Sequence, residues 1–257
     1  MSYASVDNGE TARMCNLYAM MRSRAEAAQL ARAFSDVNNN QPPMSGVFPD
    51  YPAPIIAKTP GGERQMRDVR WGMPSSKNAM FEAAKKRAGK LREKGQEVDF
   101  NELLRMEPDK GTTNIRNTAS KHWQPWLGPS SRCLVPFTSF SEPDQVGGTL
   151  QPIWYALDEA RPLAFFAGVW TPWTCVRKIK EGEVSCDLFG FLTTEANAEV
   201  ARHHDKAMPV ILTEPADWDL WMGDAPWTEV QHLQRPLSDG ALKIVAQGPR
   251  EDETAPT

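Results

Sequence analysis

The residues that hold metals or disulfides are few here, and their spacing removes most of what they could do. The four cysteines, Cys15, Cys133, Cys175 and Cys186, include no C-x-x-C pair. Neither a zinc ribbon nor a thioredoxin-type redox motif is therefore available, and isolated thiols suit a reducing, cytoplasmic compartment. The four histidines lack H-E-x-x-H spacing, which excludes the helical metal-hydrolase pattern; no metal and no cofactor are expected. No apolar run approaches the ~20 residues of a membrane helix. The opening MSYASVDNGETAR lacks the basic start and apolar stretch of a secretory signal. Positive charge is also missing: the formal net charge is -4, whereas a general nucleic-acid coat would be strongly basic. Any grip on nucleic acid must come from a local basic groove, with weak non-specific affinity outside it.

What is present fits one generous domain. The 257 residues are 40% hydrophobic and 24% charged, enough for a self-supporting core. No internal repeat or linker interrupts them. Residues 22–35, RSRAEAAQLARAFS, are Ala-rich with Leu30 and Phe34 on one helical face. The Pro-rich QPPMSGVFPDYPAPIIAK that follows cannot be helical and predicts loop and a short strand. DVRWGMP alternates apolar Val69, Trp71 and Met73 as a strand ending at Pro74. Residues 77–110 are charge-rich and predict a surface helical insertion, two helices broken at Gly95, whose nine basic residues read first as a solvated face.

The second half is strand-rich. CLVPF, PIWYAL, LAFFAGVW, DLFGFLTT, MPVIL and ALKIVA are short apolar runs bounded by turn residues. TEPADWDLWM predicts a helix with Thr213 as N-cap and Pro215 in its first turn. Strands without regular intervening helices predict an α+β fold of mainly antiparallel sheets, curled toward a barrel, with flanking helices. The tail from 248, GPREDETAPT, is polar and predicts disorder.

The chemistry begins at Met14-Cys15. If translation starts at Met14, or residues 1–13 are a dispensable leader, removal of the methionine leaves a chain beginning with cysteine. Such a residue carries an α-amine and a thiol on adjacent atoms. The amine, with an unperturbed pKa of about 7.7 to 8.0, is partly neutral near pH 7. It attacks an aldehyde to give a Schiff base, and the thiol can close on that imine as a five-membered thiazolidine. On Met-Cys alone, a buried inert cysteine is the better reading.

Three other segments bear on that balance. In TTNIRNTASKHW, Asn114 and Arg116 are two apart; in an extended chain they point the same way, an amide to orient a nucleophile beside a guanidinium to hold phosphate. By itself the segment reads better as a polar loop. RCLVPFTSFSEP runs an apolar strand into Glu142, where partial desolvation suits a general acid, although a lone strand-end carboxylate is more often only exposed. ARHHDKAMPVIL sets His203 and His204 before a strand, with Lys206 close by; histidine is the usual acid–base group near neutrality, and such turns are often merely solvated.

Together these segments resemble the SOS-response-associated peptidase (SRAP) family. That family begins Met-Cys, carries R-W-G-[LM]-x-P (here RWGMP) and Asn-x-Arg, then C-L-[IV]-P followed by an aromatic and a glutamate, and ends with a histidine shortly before Met-Pro. The matches run in family order from Met14 to about Leu212. The resemblance implies a mixed, largely β fold with a positive channel for single-stranded DNA, acting as a monomer on strands with abasic sites. It implies that Cys15, free at its amine, forms a thiazolidine with the abasic-site aldehyde. Asn114 would orient Cys15, Glu142 would act as acid and base, and His204 would touch sugar or phosphate and assist proton transfer. Arg116 would hold phosphate, Lys206 stands where the family uses Arg, and Trp71 would stack near the lesion or sit in the core.

Three departures stand out. Cys15-Asn16-Leu17 replaces Cys-Gly-Arg, Asn117-Thr118 replaces Ser-Glu, and one extra residue separates the histidine from Met-Pro, which leaves His203 beside His204 as a candidate. A second reading makes the chain a cysteine hydrolase, with Cys15 as nucleophile, His204 as base and Asn114 as orienter. A third is a lesion sensor that binds without covalent chemistry.

Overall fold

Alternation along the strands, with both faces apolar, decides the architecture. The computed structural model describes residues 17–34 and 42–253; Met14 and Cys15 lie outside the described residues. Strands β1 (Leu17–Met20), β2 (Met44–Val47), β3 (Pro52–Lys58) and β4 (Arg64–Trp71) form the first half, with helix α1 (Arg24–Leu30) between the first two. Helices α2 (Lys77–Glu93) and α3 (Phe100–Arg105) follow, then β5 (Asn114–Ile115). The second half runs through β6 (Arg132–Phe137), β7 (Ser139–Pro143), β8 (Pro152–Ala156), β9 (Ala164–Val176) and β10 (Glu183–Thr194). Helix α4 (Ala198–Ala201), strands β11 (Met208–Pro209) and β12 (Ile211–Leu212), helices α5 (Pro215–Met222) and α6 (Trp227–Val230), and strand β13 (Lys243–Gln247) complete it.

Strand β10 pairs in parallel with β4, β4 with β3, β3 with β6, β6 with β9, and β9 returns to β10. That ring closes a barrel and removes its sheet edges. A second, antiparallel sheet has the order β13-β8-β7-β1-β2. The result is a mixed α+β domain. Side chains one apart along each barrel strand enter different clusters, as a period of two requires. Ile55, Val135, Phe166, Phe189 and Phe191 join Tyr18, Phe140 and Tyr155 of the second sheet in one core. Ile56, Leu134, Phe165, Leu188 and Leu192 face outward and are covered by Ala27 and Ala28 of α1 and by Trp218 and Trp221 of α5. Each such side chain contributes ~1.5–3 kcal/mol by leaving water, so burial on both faces is what holds the barrel walls. Among the described residues no helix is long and apolar enough to cross a membrane.

Several local expectations are corrected. Helix α1 carries a capping box between Ser23 and Glu26 and stops at Leu30. Arg32 takes a positive φ of 53°, and Phe34 leaves the helix to bridge Gln65, 70% exposed. The α5 N-cap is Glu214 rather than Thr213; Thr213 directly follows β12, and its hydroxyl donates to Glu214 Oε1 at 3.5 Å. MPVIL is divided, Met208–Pro209 pairing with β10 and Ile211–Leu212 with β9. The tail is docked at least to Glu253: Asp252 is buried, accepts from Arg161 Nε at 2.8 Å and from Ser139 Oγ at 2.6 Å, and Trp154 Nε1 donates to Pro249 O at 2.9 Å. One internal ion pair outweighs the polarity of the segment around it.

Between β4 and β5 the chain departs as the α2–α3 excursion. Gly95 makes the turn at φ +73°, a conformation glycine adopts without a Cβ penalty, and Asp99 Oδ1 caps α3 by accepting from Asn101 N and Glu102 N. Its two roots are clamped by Met73 N to Thr112 O at 2.9 Å and Thr112 N to Met73 O at 2.7 Å.

Candidate functional site

Strand β7 lies between β8 and β1, so a carboxylate near its end is buried by neighbours on both sides. That carboxylate is Glu142, 1% exposed. His204 lies beside it, 0% exposed, with Nε2 3.7 Å from Glu142 Oε2. The histidine's position is set from α4: Asn197 Oδ1 caps the helix by accepting from Val200 N, and His204 N donates to Val200 O at 2.8 Å. Neither ring nitrogen of His204 has a hydrogen-bond partner among the described residues. Burial holds the imidazole pKa below the ordinary histidine value; Asp205 opposes this and Lys206 adds to it. His204 is thus a neutral base near pH 7, in contact with a buried carboxyl.

The neighbouring histidine is engaged otherwise. His203 Nδ1 meets Asp144 Oδ1 at 3.1 Å, and its carbonyl accepts from Gln145 N and Val146 N. It pins the loop after β7, whereas His204 faces Glu142. The extra residue before Met-Pro is therefore absorbed with His204 inward.

Asn114 is 5% exposed, on β5 opposite Phe191 of β10, and its Nδ2 donates to Thr113 Oγ1 at 2.9 Å. Arg116 does not share that burial. It is partly exposed, 3.7 Å from Glu195 Oε2, and its Nη1 donates to Lys206 O at 3.4 Å. The Asn114–Arg116 segment and the His204–Lys206 segment thus meet at the end of β10, where Lys206 is also exposed. Gln234 ties the junction, its Nε2 donating to both Arg116 O and Thr193 O.

Of the two places expected for Trp71, the structure shows the core. It is fully buried, stacks with Phe191 at 5.3 Å and meets Tyr18 edge-on at 5.2 Å, and its Nε1 donates to Thr113 O. Its contribution is to hold the strand that carries Asn114, from inside the core. Cys15 lies outside the described residues. The first described residue, Leu17, pairs with Ser141, the neighbour of Glu142. Two of the other three cysteines do not replace it: burial pushes the Cys133 thiol well up and Cys175 up to about 11, so neither is an activated nucleophile.

One residue beside the site was not singled out from sequence. Tyr155 of β8 is fully buried, stacks on Phe140 at 5.5 Å, and lies diagonally across the strand pair from Glu142. Its hydroxyl has no hydrogen-bond partner among the described residues. Burial, then the Glu142 charge, raise its pKa, so it holds its proton. In PIWYAL it reads simply as another apolar strand residue.

Comparison with known proteins places these features in context. The family model described as SOS response associated peptidase (SRAP) matches residues 14–247. No curated protein matches the chain. Among solved structures, a Bacteroides thetaiotaomicron protein is similar at 20% identity and TM-score 0.62, over 89% of this chain and 90% of that one. A Bordetella bronchiseptica protein is similar at 21% identity and TM-score 0.60, over 89% and 97%. A phage-related protein from the same organism gives 17% identity and TM-score 0.56, over 89% and 92%. At these identities the structures speak to the fold.

Proposed function

The chain belongs to the SOS response associated peptidase (SRAP) family, and from that premise we propose that it captures abasic sites in single-stranded DNA through Cys15. The family's name ties it to the DNA-damage response and to peptidase-like activity; covalent capture is the finer reading. The observation that carries it is the pairing of Leu17 with Ser141. Cys15 is two residues from Leu17 in sequence, and this supports a reading in which it works with the Glu142–His204 pair. The family match begins at Met14, in keeping with a functional chain that starts at Cys15.

In this scheme the Cys15 amine attacks C1′ of the open-chain sugar. The aldehyde oxygen leaves as water, and the thiol adds across the C=N bond, forming the C–S bond while its proton goes to nitrogen. Glu142 takes a proton from the attacking amine and delivers one to the departing oxygen. His204, neutral, accepts and returns the proton of the second step. Asn114 orients the cysteine, and Arg116 with Lys206 holds the flanking phosphates. A hydrolytic self-cleavage before Cys15 would use the same buried acid–base pair and would account for the peptidase name.

The test is incubation of protein beginning at Cys15 with a single strand bearing one abasic site. The expected product is an adduct that survives denaturation without borohydride, because ring closure removes the hydrolysable imine. Cys15→Ser should lose most of it while retaining a borohydride-trappable imine and some strand nicking as a lyase. An equally stable adduct from Cys15→Ser would replace this scheme with a lysine Schiff base.

A further inference from the structure

Helix α2 distributes charge unlike the rest of the molecule. Residues 77–94 hold seven basic side chains against two acidic, a local charge of +5 in a chain totalling -4, so all other residues together carry -9. A solvated helix in an acidic protein needs no such excess. The placement of the charges is also uneven. Ala84 and Ala88 are buried and turn one face inward, and Phe81 packs edge-on against Phe100 at 5.4 Å. Two cations are neutralised, Lys85 by Glu82 at 3.9 Å and Arg87 by Glu107 at 3.3 Å.

The flank at four-residue spacing is different. Lys86 and Lys90, followed by the C-cap Lys94, stand in one row of ~12 Å, all exposed and with no ion pair among the described residues. Ala79 and Ala83 on that flank are exposed and uncharged, while Glu82, engaged with Lys85, and Glu93 border the row. A row of free lysines beside small residues offers close approach to a polyanion. Basic groups in a last helical turn also favour the helix dipole, but that role acts only at the terminus and does not account for Lys86.

The excursion's location gives the row its partner. Its roots are clamped together by the Met73–Thr112 hydrogen bonds, two residues from Trp71 on one side and two from Asn114 on the other. The arm therefore grows from the edge of the candidate site. We infer that α2 is an outrigger for the phosphate backbone: Lys86, Lys90 and Lys94 bind the part of a DNA strand that runs beyond the abasic-site pocket. This rests on the reading of the site as a single-strand binder. It adds that affinity comes in two parts, one at Arg116 and Lys206 and one on α2.

The experiment compares wild type with Lys86→Gln/Lys90→Gln/Lys94→Gln by fluorescence anisotropy over a range of salt. One probe is a strand of about 5 nucleotides, near the lower limit of compact single-strand sites; the other is several times longer. Three lost phosphate contacts at ~0.7 each should lower the salt slope for the long strand by about 2, with roughly tenfold weaker binding at low salt. Binding of the short strand should not change. Lys85→Gln, exposed but on the other flank, should leave both probes unaffected, and circular dichroism of all variants should match wild type. An unchanged slope on the long strand overturns the outrigger while leaving the site reading intact, as does equal loss on both probes. If wild type binds neither strand, the single-strand reading itself fails and the outrigger with it.

Discussion

Glu142 Oε2 lies 3.7 Å from His204 Nε2, and both side chains are sealed from solvent. A buried carboxyl and a neutral imidazole at that separation sit just outside hydrogen-bond reach, and such pairs tighten when a substrate supplies the missing atom. Loss of either should therefore slow chemistry rather than abolish folding. Glu142→Gln should reduce the rate of adduct formation by ~10²- to 10⁴-fold, His204→Ala should do comparably, and His203→Ala should have little effect. Single-turnover gel assays distinguish these. A larger loss from His203→Ala than from His204→Ala would invert the assignment of the two histidines.

The depressed pKa of His204 has a consequence for stability. Its folded pKa lies below the unfolded value of about 6.5, so below that pH the unfolded chain binds more protons than the folded one. Its contribution is fully present above pH ~6.5 and is lost as pH falls through the folded value. The melting temperature should drop on acidification from pH 6.5 toward 5, and His204→Gln should flatten that part of the curve. Parallel wild-type and variant curves over this window would show that His204 titrates normally.

Trp71 tests whether the tryptophan serves the core or the DNA. With its ring packed against Tyr18, Phe189 and Phe191, Trp71→Ala should cost ~3–5 kcal/mol of stability through the cavity it leaves. Trp71→Phe should cost less and leave single-strand affinity unchanged. Urea denaturation and binding, measured together, decide it; a Phe variant that folds but loses DNA would restore the stacking role.

Much of this was legible in the order of residues. Runs such as CLVPF and LAFFAGVW read as strands because aromatic and aliphatic residues crowd between turn formers. The curl toward a barrel was legible too, but the strand pairing that closes it was not, because the parallel pairing of Leu188 with Arg70 and Phe189 with Trp71 joins segments more than a hundred residues apart with no local signal. Trp71 was ambiguous because both faces of its strand are covered, which defeats the inside–outside alternation. Glu142 and His204 stood out only through the family's motif order. A lone carboxylate or a histidine in a turn has a commoner, inert meaning. Tyr155 was hidden by its own hydrophobicity. The docked tail was unreadable because its polarity is general while the feature that anchors it, Asp252 on Arg161, is a single pair.

That pair gives a prediction of its own. Arg161 and Asp252 are both nearly inaccessible, and removing one partner strands a buried charge. Asp252→Ala should destabilise the protein by ~3–5 kcal/mol and expose the tail to proteolysis near Pro249. A variant with wild-type stability and protease resistance would show that the tail contributes nothing to the fold.

Whether Cys15 must be N-terminal is the question on which covalent capture stands or falls. The decisive comparison uses two preparations, one beginning at Cys15 and one retaining every residue from Met1, each verified by intact mass. Both are incubated with single-stranded DNA carrying an abasic site and resolved on a denaturing gel without borohydride. Only the chain with a free Cys15 amine should give the stable adduct, since an internal cysteine has no amine to condense with the aldehyde. Equal crosslinking by the chain that still carries Met1 would contradict the thiazolidine scheme outright.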